Sequence, residues 1–198
     1  MYEYRKLTPE KRAEVVRERL AKGYPPHSPP HPIQDCEFYL LTAACYEHKD
    51  RINHQSRRQQ LLNLIFENFI LEGMEIVAWV ILPNHYHLLV SNVNFPRLSA
   101  LLRSIHGSLA RQWNIEDNLK GQVWHSFSDR AIRSERHSYT TLNYIHYNPV
   151  KHGWVKSSYD WMESSVHWYL EERGRDWLRS CWVDYPVKDY GKGWDDFN

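Results

Sequence analysis

The sequence predicts an α+β domain. Its core is a four-stranded antiparallel sheet in the split βαβ, ferredoxin-like arrangement, with helices on one face and extensions at both ends. Three observations carry this prediction. Segments of strand and helix character follow one another as β-α-β-β-α-β-α. Two long amphipathic segments, Gln55 to Glu72 and Arg97 to Trp113, repeat apolar residues at helical spacing. Between them lies an apolar run, Trp79-Val80-Ile81-Leu82, which breaks at Pro83-Asn84 and resumes as His85-Tyr86-His87-Leu88-Leu89-Val90, the pattern of two buried strands joined by a tight turn.

In chain order, residues 8–22 open on Thr8-Pro9-Glu10 and carry a narrow stripe of Ala13, Val16 and Leu20, which predicts a short surface helix. Gly23 to Pro32 holds five of the ten prolines and reads as an extended arm, since proline suits neither a helix interior nor a central strand. Glu37 to Tyr46, rich in aromatic and β-forming residues, is the first strand. The helix Gln55 to Glu72 turns Leu61, Leu62, Ile65, Phe66, Phe69 and Ile70 inward and ends at Gly73. Met74 to Leu82 and His85 to Ser91 are strands two and three. The next helix buries Leu98, Leu101, Leu102, Ile105 and Leu109 and leaves Arg103, His106 and Arg111 outside. Val123 to Arg133 is the fourth strand, followed by a helix from Glu135 to His152. Beyond it Glu163 to Arg173 has helical character and the tail from Pro186 is irregular. These readings divide the chain into an N-terminal helix and arm (1–35), a main domain (36–160) and a C-terminal helical extension with its tail (161–198).

Composition bounds the function. The chain has 198 residues, 42% of them hydrophobic, and a formal net charge of +1, so any nucleic-acid contact depends on local patches rather than a basic whole. Three cysteines, Cys36, Cys45 and Cys181, show no metal-binding spacing and suggest free thiols in a reducing cytoplasm. No apolar run approaches the ~20 residues that span a bilayer, and the N-terminus lacks the apolar core of a signal peptide. The expected location is the cytoplasm, with no membrane partner.

The chemistry concentrates in two stretches. In a strand, His85 and His87 point to the same side, ~7 Å apart at Cα, and two imidazoles converging on one face can share a metal ion. Taken alone, the pair reads more readily as two satisfied polar residues of a strand than as a metal site. The second stretch is Tyr144-Ile145-His146-Tyr147-Asn148-Pro149-Val150-Lys151-His152-Gly153. On a helix Tyr144 and Asn148 are i and i+4 and stack on one face, an oxygen nucleophile beside a carbonyl ligand. Tyr147 lies ~100° around the helix from Tyr144. Asn148 is also readable as a helix-ending residue, because the position before proline disfavours α geometry.

The blocks Leu82-Pro83-Asn84-His85-Tyr86-His87 and Tyr144-Ile145-x-x-Asn148-Pro149-Val150-Lys151-His152-Gly153, with Tyr4-Arg5-Lys6 and Trp161…Ser164-Ser165, resemble the HUH single-tyrosine transposases, most closely the REP-associated tyrosine transposases of bacteria. The resemblance runs roughly from residue 36 to 170. It makes the main domain an HUH nuclease domain with Tyr144 as catalytic nucleophile and His85, His87 and Asn148 as metal ligands. The metal it implies is Mg2+ or Mn2+, although imidazole ligands by themselves favour a softer ion such as zinc. The substrate it implies is single-stranded DNA beside a hairpin, cut to a 5′-phosphotyrosine and a free 3′-hydroxyl and then rejoined. Relatives act as homodimers, while the REP-associated branch suggests a monomer. A bacterial cytoplasmic protein, at the nucleoid when bound, follows.

For DNA contacts the candidates are Arg103, Arg111, Arg130, Arg133, Lys151 and His152, with Lys120, Arg136 and Lys156 nearby. Trp124, Tyr86 or Tyr147 are candidates to stack on bases, each worth ~1–3 kcal/mol. The first rival reading is a domesticated protein that binds hairpin DNA without transposing. The second, an RNA-binding ferredoxin-like domain, would place exposed aromatics on two central strands, whereas strand two reads as buried.

Overall fold

The computed structural model describes residues 8–21 and 37–194. The chain divides into two units, Met1–Asp35 and Cys36–Asn198, and each is described by itself. In the first, helix α1 runs Pro9–Ala21, opened by Thr8 Oγ1, which accepts from Lys11 N at 3.4 Å. The Pro-rich arm, the Tyr4-Arg5-Lys6 segment and Cys36 lie outside the described residues.

The second unit is built on strands β1 (Phe38–Ala44), β2 (Glu75–Ile81), β3 (His85–Ser91) and β4 (Ser128–Ile132) and helices α2 (Gln55–Leu71), α3 (Phe95–Glu116), α4 (Glu135–Lys151), α5 (Val166–Arg173) and α6 (Arg175–Asp184). The sheet order is β2-β3-β1-β4 and every neighbouring pair is antiparallel. Each of the crossover helices α2 and α3 therefore bridges non-adjacent strands, which is the split βαβ arrangement.

Alternation within the strands separates two cores. Tyr39, Leu41 and Ala43 of β1 and Tyr86, Leu88 and Val90 of β3 face α2 and α3 through Leu61, Ile65, Phe69, Leu98, Leu102 and Leu109. Leu40 and Leu89 face the opposite way and pack with Leu142 and Ile145 of α4, Val166 and Tyr169 of α5 and Leu178 of α6. The expectation of helices on one face holds for the two crossover helices. It fails for α4, α5 and α6, which cover the second face. That double cover explains why all seven residues of β3 are buried and why its Leu88, Leu89 and Val90 run on without alternating with polar residues.

Several local readings are corrected. The fourth strand begins at Ser128, since Trp124 makes only an isolated bridge to Cys45. Ile70 is 69% exposed, because the buried stripe of α2 runs through Leu61, Ile65 and Phe69 and Ile70 lies ~100° around the helix from it. His106 is buried and bonds the Tyr86 hydroxyl through Nε2 at 2.9 Å, so it faces inward. A second helix, α6, follows α5 across Gly174, whose φ of +82° favours glycine. The extension also closes the β2 edge: Ile81 N donates to Glu163 O and Ser165 N to Trp79 O, satisfying backbone groups that an edge strand leaves open.

Candidate active site

The β2–β3 turn positions the first histidine. Cys45 N donates to Asn84 O at 2.7 Å and Ile52 N to Pro83 O at 2.8 Å, so the turn is pinned from outside the hairpin. Strand alternation then puts His85 and His87 on the face beneath α4, their ring centroids 5.1 Å apart. Thr42 is the β1 partner of His87 in the register, and its Oγ1 is hydrogen-bonded to His87 Nδ1 at 2.7 Å. His85 Nδ1 lies 2.7 Å from Asn84 Oδ1. Both rings are thus held by Nδ1 and turn Nε2 toward α4.

Helix α4 supplies the opposing side. Its N-cap Ser134 accepts from His137 N at 3.1 Å. Tyr144, Asn148 and His152 are spaced i, i+4, i+8 and share one face. The helix continues through Pro149 to Lys151, so Asn148 does not end it. Pro149 lacks the backbone donor for the carbonyl four residues back and its ring crowds that carbonyl, and the helix ends two residues later. His152 caps the helix and its ring meets that of His85 at 4.9 Å. Tyr144 hydroxyl lies 3.4 Å from His87 Nε2, and Asn148 Oδ1 lies 3.1 Å from His85 Nε2. His85, His87, Tyr144 and Asn148 are all essentially inaccessible to solvent.

One pair of these groups is spaced as two ligands of a divalent ion would be. Adjacent ligands of an octahedral ion with bonds of roughly 2.1 Å sit about 3.0 Å apart, close to the separation of His85 Nε2 and Asn148 Oδ1. Asn148 Nδ2 is buried without a hydrogen-bond partner, the consequence of turning the amide oxygen inward. Among the described residues no three His, Cys, Asp or Glu side chains gather as a metal cluster, so the set depends on the amide.

The tail from Pro186 roofs the site. Tyr190 and Trp194 meet the Tyr144 ring at 5.5 and 5.6 Å, and Gly191 passes so close that a Cβ there would overlap it. Tyr190 hydroxyl bonds Thr141 Oγ1 at 2.6 Å and His137 Nε2 at 3.0 Å. Lys151 Nζ donates to Gly191 O at 3.0 Å and stands 5.2 Å from the Tyr144 ring centroid. Arg130 stacks on Trp194 at 3.8 Å.

Of the DNA-contact candidates, Arg130, Lys151 and His152 belong to this neighbourhood, and Arg133 is exposed just beyond β4. Arg103 and Arg111 are exposed on α3, which packs on the opposite sheet face. Tyr86 and Trp124 are buried in the core beside α3 and are not available to bases, whereas Tyr147 is 46% exposed. The sequence reading missed Thr42, Asn84, Tyr190 and Trp194. Asn84 was within reach, as a polar residue held in a turn beside a candidate ligand.

No family model matches the chain. It is 33% identical over 125 residues to the REP-associated tyrosine transposase of Escherichia coli, covering 59% of this chain and 73% of that one. A Haemophilus influenzae relative given the same family name is 34% identical over 104 residues, covering 47% and 59%. A solved structure of a REP-associated tyrosine transposase bound to a REP hairpin superposes with a TM-score of 0.57 at 28% identity, covering 70% of this chain and 82% of that one. With 33% identity over 73% of the Escherichia coli relative's length, the chain belongs to the REP-associated tyrosine transposase family.

Proposed function

We propose that this protein cleaves and rejoins single-stranded DNA beside a hairpin, through a covalent bond between Tyr144 and a DNA 5′-phosphate. The observation that carries the reading is the convergence of the Tyr144 hydroxyl on His87 Nε2 at 3.4 Å while Asn148 Oδ1 meets His85 Nε2 at 3.1 Å. One nucleophile and three candidate ligand side chains share a small, solvent-excluded volume. The hairpin partner is suggested by the relative that binds a REP hairpin.

His85, His87 and Asn148 would hold a divalent ion, Mg2+ or Mn2+. Bound there, it supplies Lewis acidity that polarises the scissile phosphate. The remaining work falls to the chain. Tyr144 Oη attacks phosphorus and the bond from phosphorus to the upstream 3′ oxygen breaks, the phenol proton being passed on, in net, to that leaving oxygen. That oxygen takes a proton and departs as a 3′-hydroxyl. A phosphodiester is exchanged for a phosphotyrosine ester, so the step runs backward when another 3′-hydroxyl attacks, and joining needs no nucleotide cofactor. Lys151 supplies positive charge beside the Tyr144 ring. The roof of residues 190–194 must leave before a phosphate can reach Oη.

The test is a denaturing gel of labelled hairpin oligonucleotides incubated with the protein, with Mg2+, Mn2+ or chelator. A metal-dependent, protein-linked band that disappears in Tyr144→Phe is expected. Tight hairpin binding with no adduct under any condition would favour the domesticated binder. An adduct that persists in the variant would exclude Tyr144 and direct attention to Tyr147.

A further inference from the structure

We propose that Asn84 is a positioning residue that holds His85 in the single tautomer able to present a lone pair to Asn148. This rests on the metal reading above for its purpose, though not for its geometry. The hydrogen-bond network leaves little freedom. Asn84 Nδ2 donates to His48 O at 3.2 Å, and a carbonyl can only accept. The amide is therefore oriented, with Oδ1 turned to His85 Nδ1 at 2.7 Å. An amide oxygen also only accepts, so Nδ1 must carry the proton. In the neutral imidazole, which has one N–H, Nε2 then keeps its lone pair and faces Asn148 Oδ1 at 3.1 Å. Two acceptors brought together in a buried site repel one another unless a cation lies between them. That is the arrangement a ligand pair requires.

The backbone that supplies the carbonyl is strained. Glu47 and His48 adopt φ of +54° and +50°, a region that costs non-glycine residues free energy and that clusters at functional sites. This short 3-10 turn, Tyr46–His48, directs His48 O at Asn84. The backbone is tied to the same turn, since Cys45 N donates to Asn84 O. The chain from strained turn to amide to imidazole is continuous, and every link has one allowed polarity. Outer contacts of this kind commonly change metal affinity 10–100-fold when removed.

Two readouts test the inference, neither of them catalytic. Nitrogen-15 NMR of the metal-free protein reports the His85 tautomer, and electron paramagnetic resonance of free Mn2+ reports metal affinity. The natural protein is expected to show His85 protonated on Nδ1. Asn84→Ala should give a mixture of tautomers and bind Mn2+ about 10–100-fold more weakly, with near-ultraviolet circular dichroism unchanged. Asn84→Asp, which keeps an acceptor on Nδ1, should restore the tautomer. An Asn84→Ala variant with His85 still wholly Nδ1-protonated and unaltered Mn2+ affinity would overturn the proposal. Failure of the metal reading is distinguishable: Mn2+ binding would then be indifferent to His85→Ala and His87→Ala, while the tautomer shift in Asn84→Ala would still support Asn84's role.

Discussion

Among single residues, the buried histidines divide by what they face. His85 and His87 meet the tyrosine helix, whereas His106 and His146 are enclosed by the cores. Burial pushes the His106 imidazole down to about 4 and the His146 imidazole down to about 3. Each is therefore neutral in the folded protein, His106 bonded to Tyr86 and His146 to Ser165 Oγ at 2.9 Å. In the unfolded chain both titrate near 6.5. Their folded values lie lower, so the unfolded state binds more protons as acid is added. The stability they allow is fully present above pH ~6.5 and is lost progressively as pH falls toward about 4 and about 3. Denaturant midpoints measured at pH 7, 5.5 and 4.5 should decline, and the double variant Tyr86→Phe with His106→Leu should decline less steeply. A midpoint independent of pH over that range would contradict the neutral-histidine account.

At the level of elements, the extension from residue 161 is part of the fold rather than an appendage. Glu163, with 5% of its side chain exposed, pairs with Arg58, at 12%, across 2.9 Å. Removing one partner strands a buried charge, which typically costs about 3–5 kcal/mol. Arg58→Met should lower the thermal midpoint sharply, and Arg58→Met with Glu163→Gln should recover much of the loss. The roof behaves differently, because its cover of Tyr144 opposes the reaction proposed for it. Gly191 takes φ of +78° and leaves no space for a methyl group. Gly191→Ala should dislodge residues 190–194 from the tyrosine, raising hydrogen exchange in that segment and speeding adduct formation several-fold. An unchanged rate would mean that the roof opens faster than the chemistry.

For the whole molecule, the two sheet faces have separate duties. One is an apolar core under α2 and α3, and the other carries His85, His87 and the helix bearing Tyr144. Charge distribution follows that division. Arg130 and Lys151 ring the site, while Arg103 and Arg111 lie across the sheet. Each phosphate contact contributes roughly 0.9 to the slope of log affinity against log salt. Hairpin binding by Arg130→Ala with Lys151→Ala should weaken and lose up to about two such units, whereas Arg103→Ala with Arg111→Ala should change little. A loss confined to the Arg103 and Arg111 pair would place the DNA on the other face.

The sequence by itself determined the order of the sheet strands and the helices up to Lys151, the paired histidines and the i, i+4 placement of Tyr144 and Asn148. Each is a local matter of strand period, helix period or turn chemistry. It also carried the family resemblance, since two short motifs keep their order and spacing along the chain. The tertiary structure alone decided which groups meet. Thr42 is ordinary in sequence and finds His87 only through sheet register. His106 looks like a polar outer residue of its helix until Tyr86 is set opposite it. Arg103 and Arg130 seem to belong to one basic stretch until a sheet separates them. The roof over Tyr144 had no signal in the chain, because its hold depends on ring contacts and one close glycine rather than a repeating pattern. Local periodicity is written in the neighbours of each residue. Contact across a sheet is fixed only when the whole chain has folded.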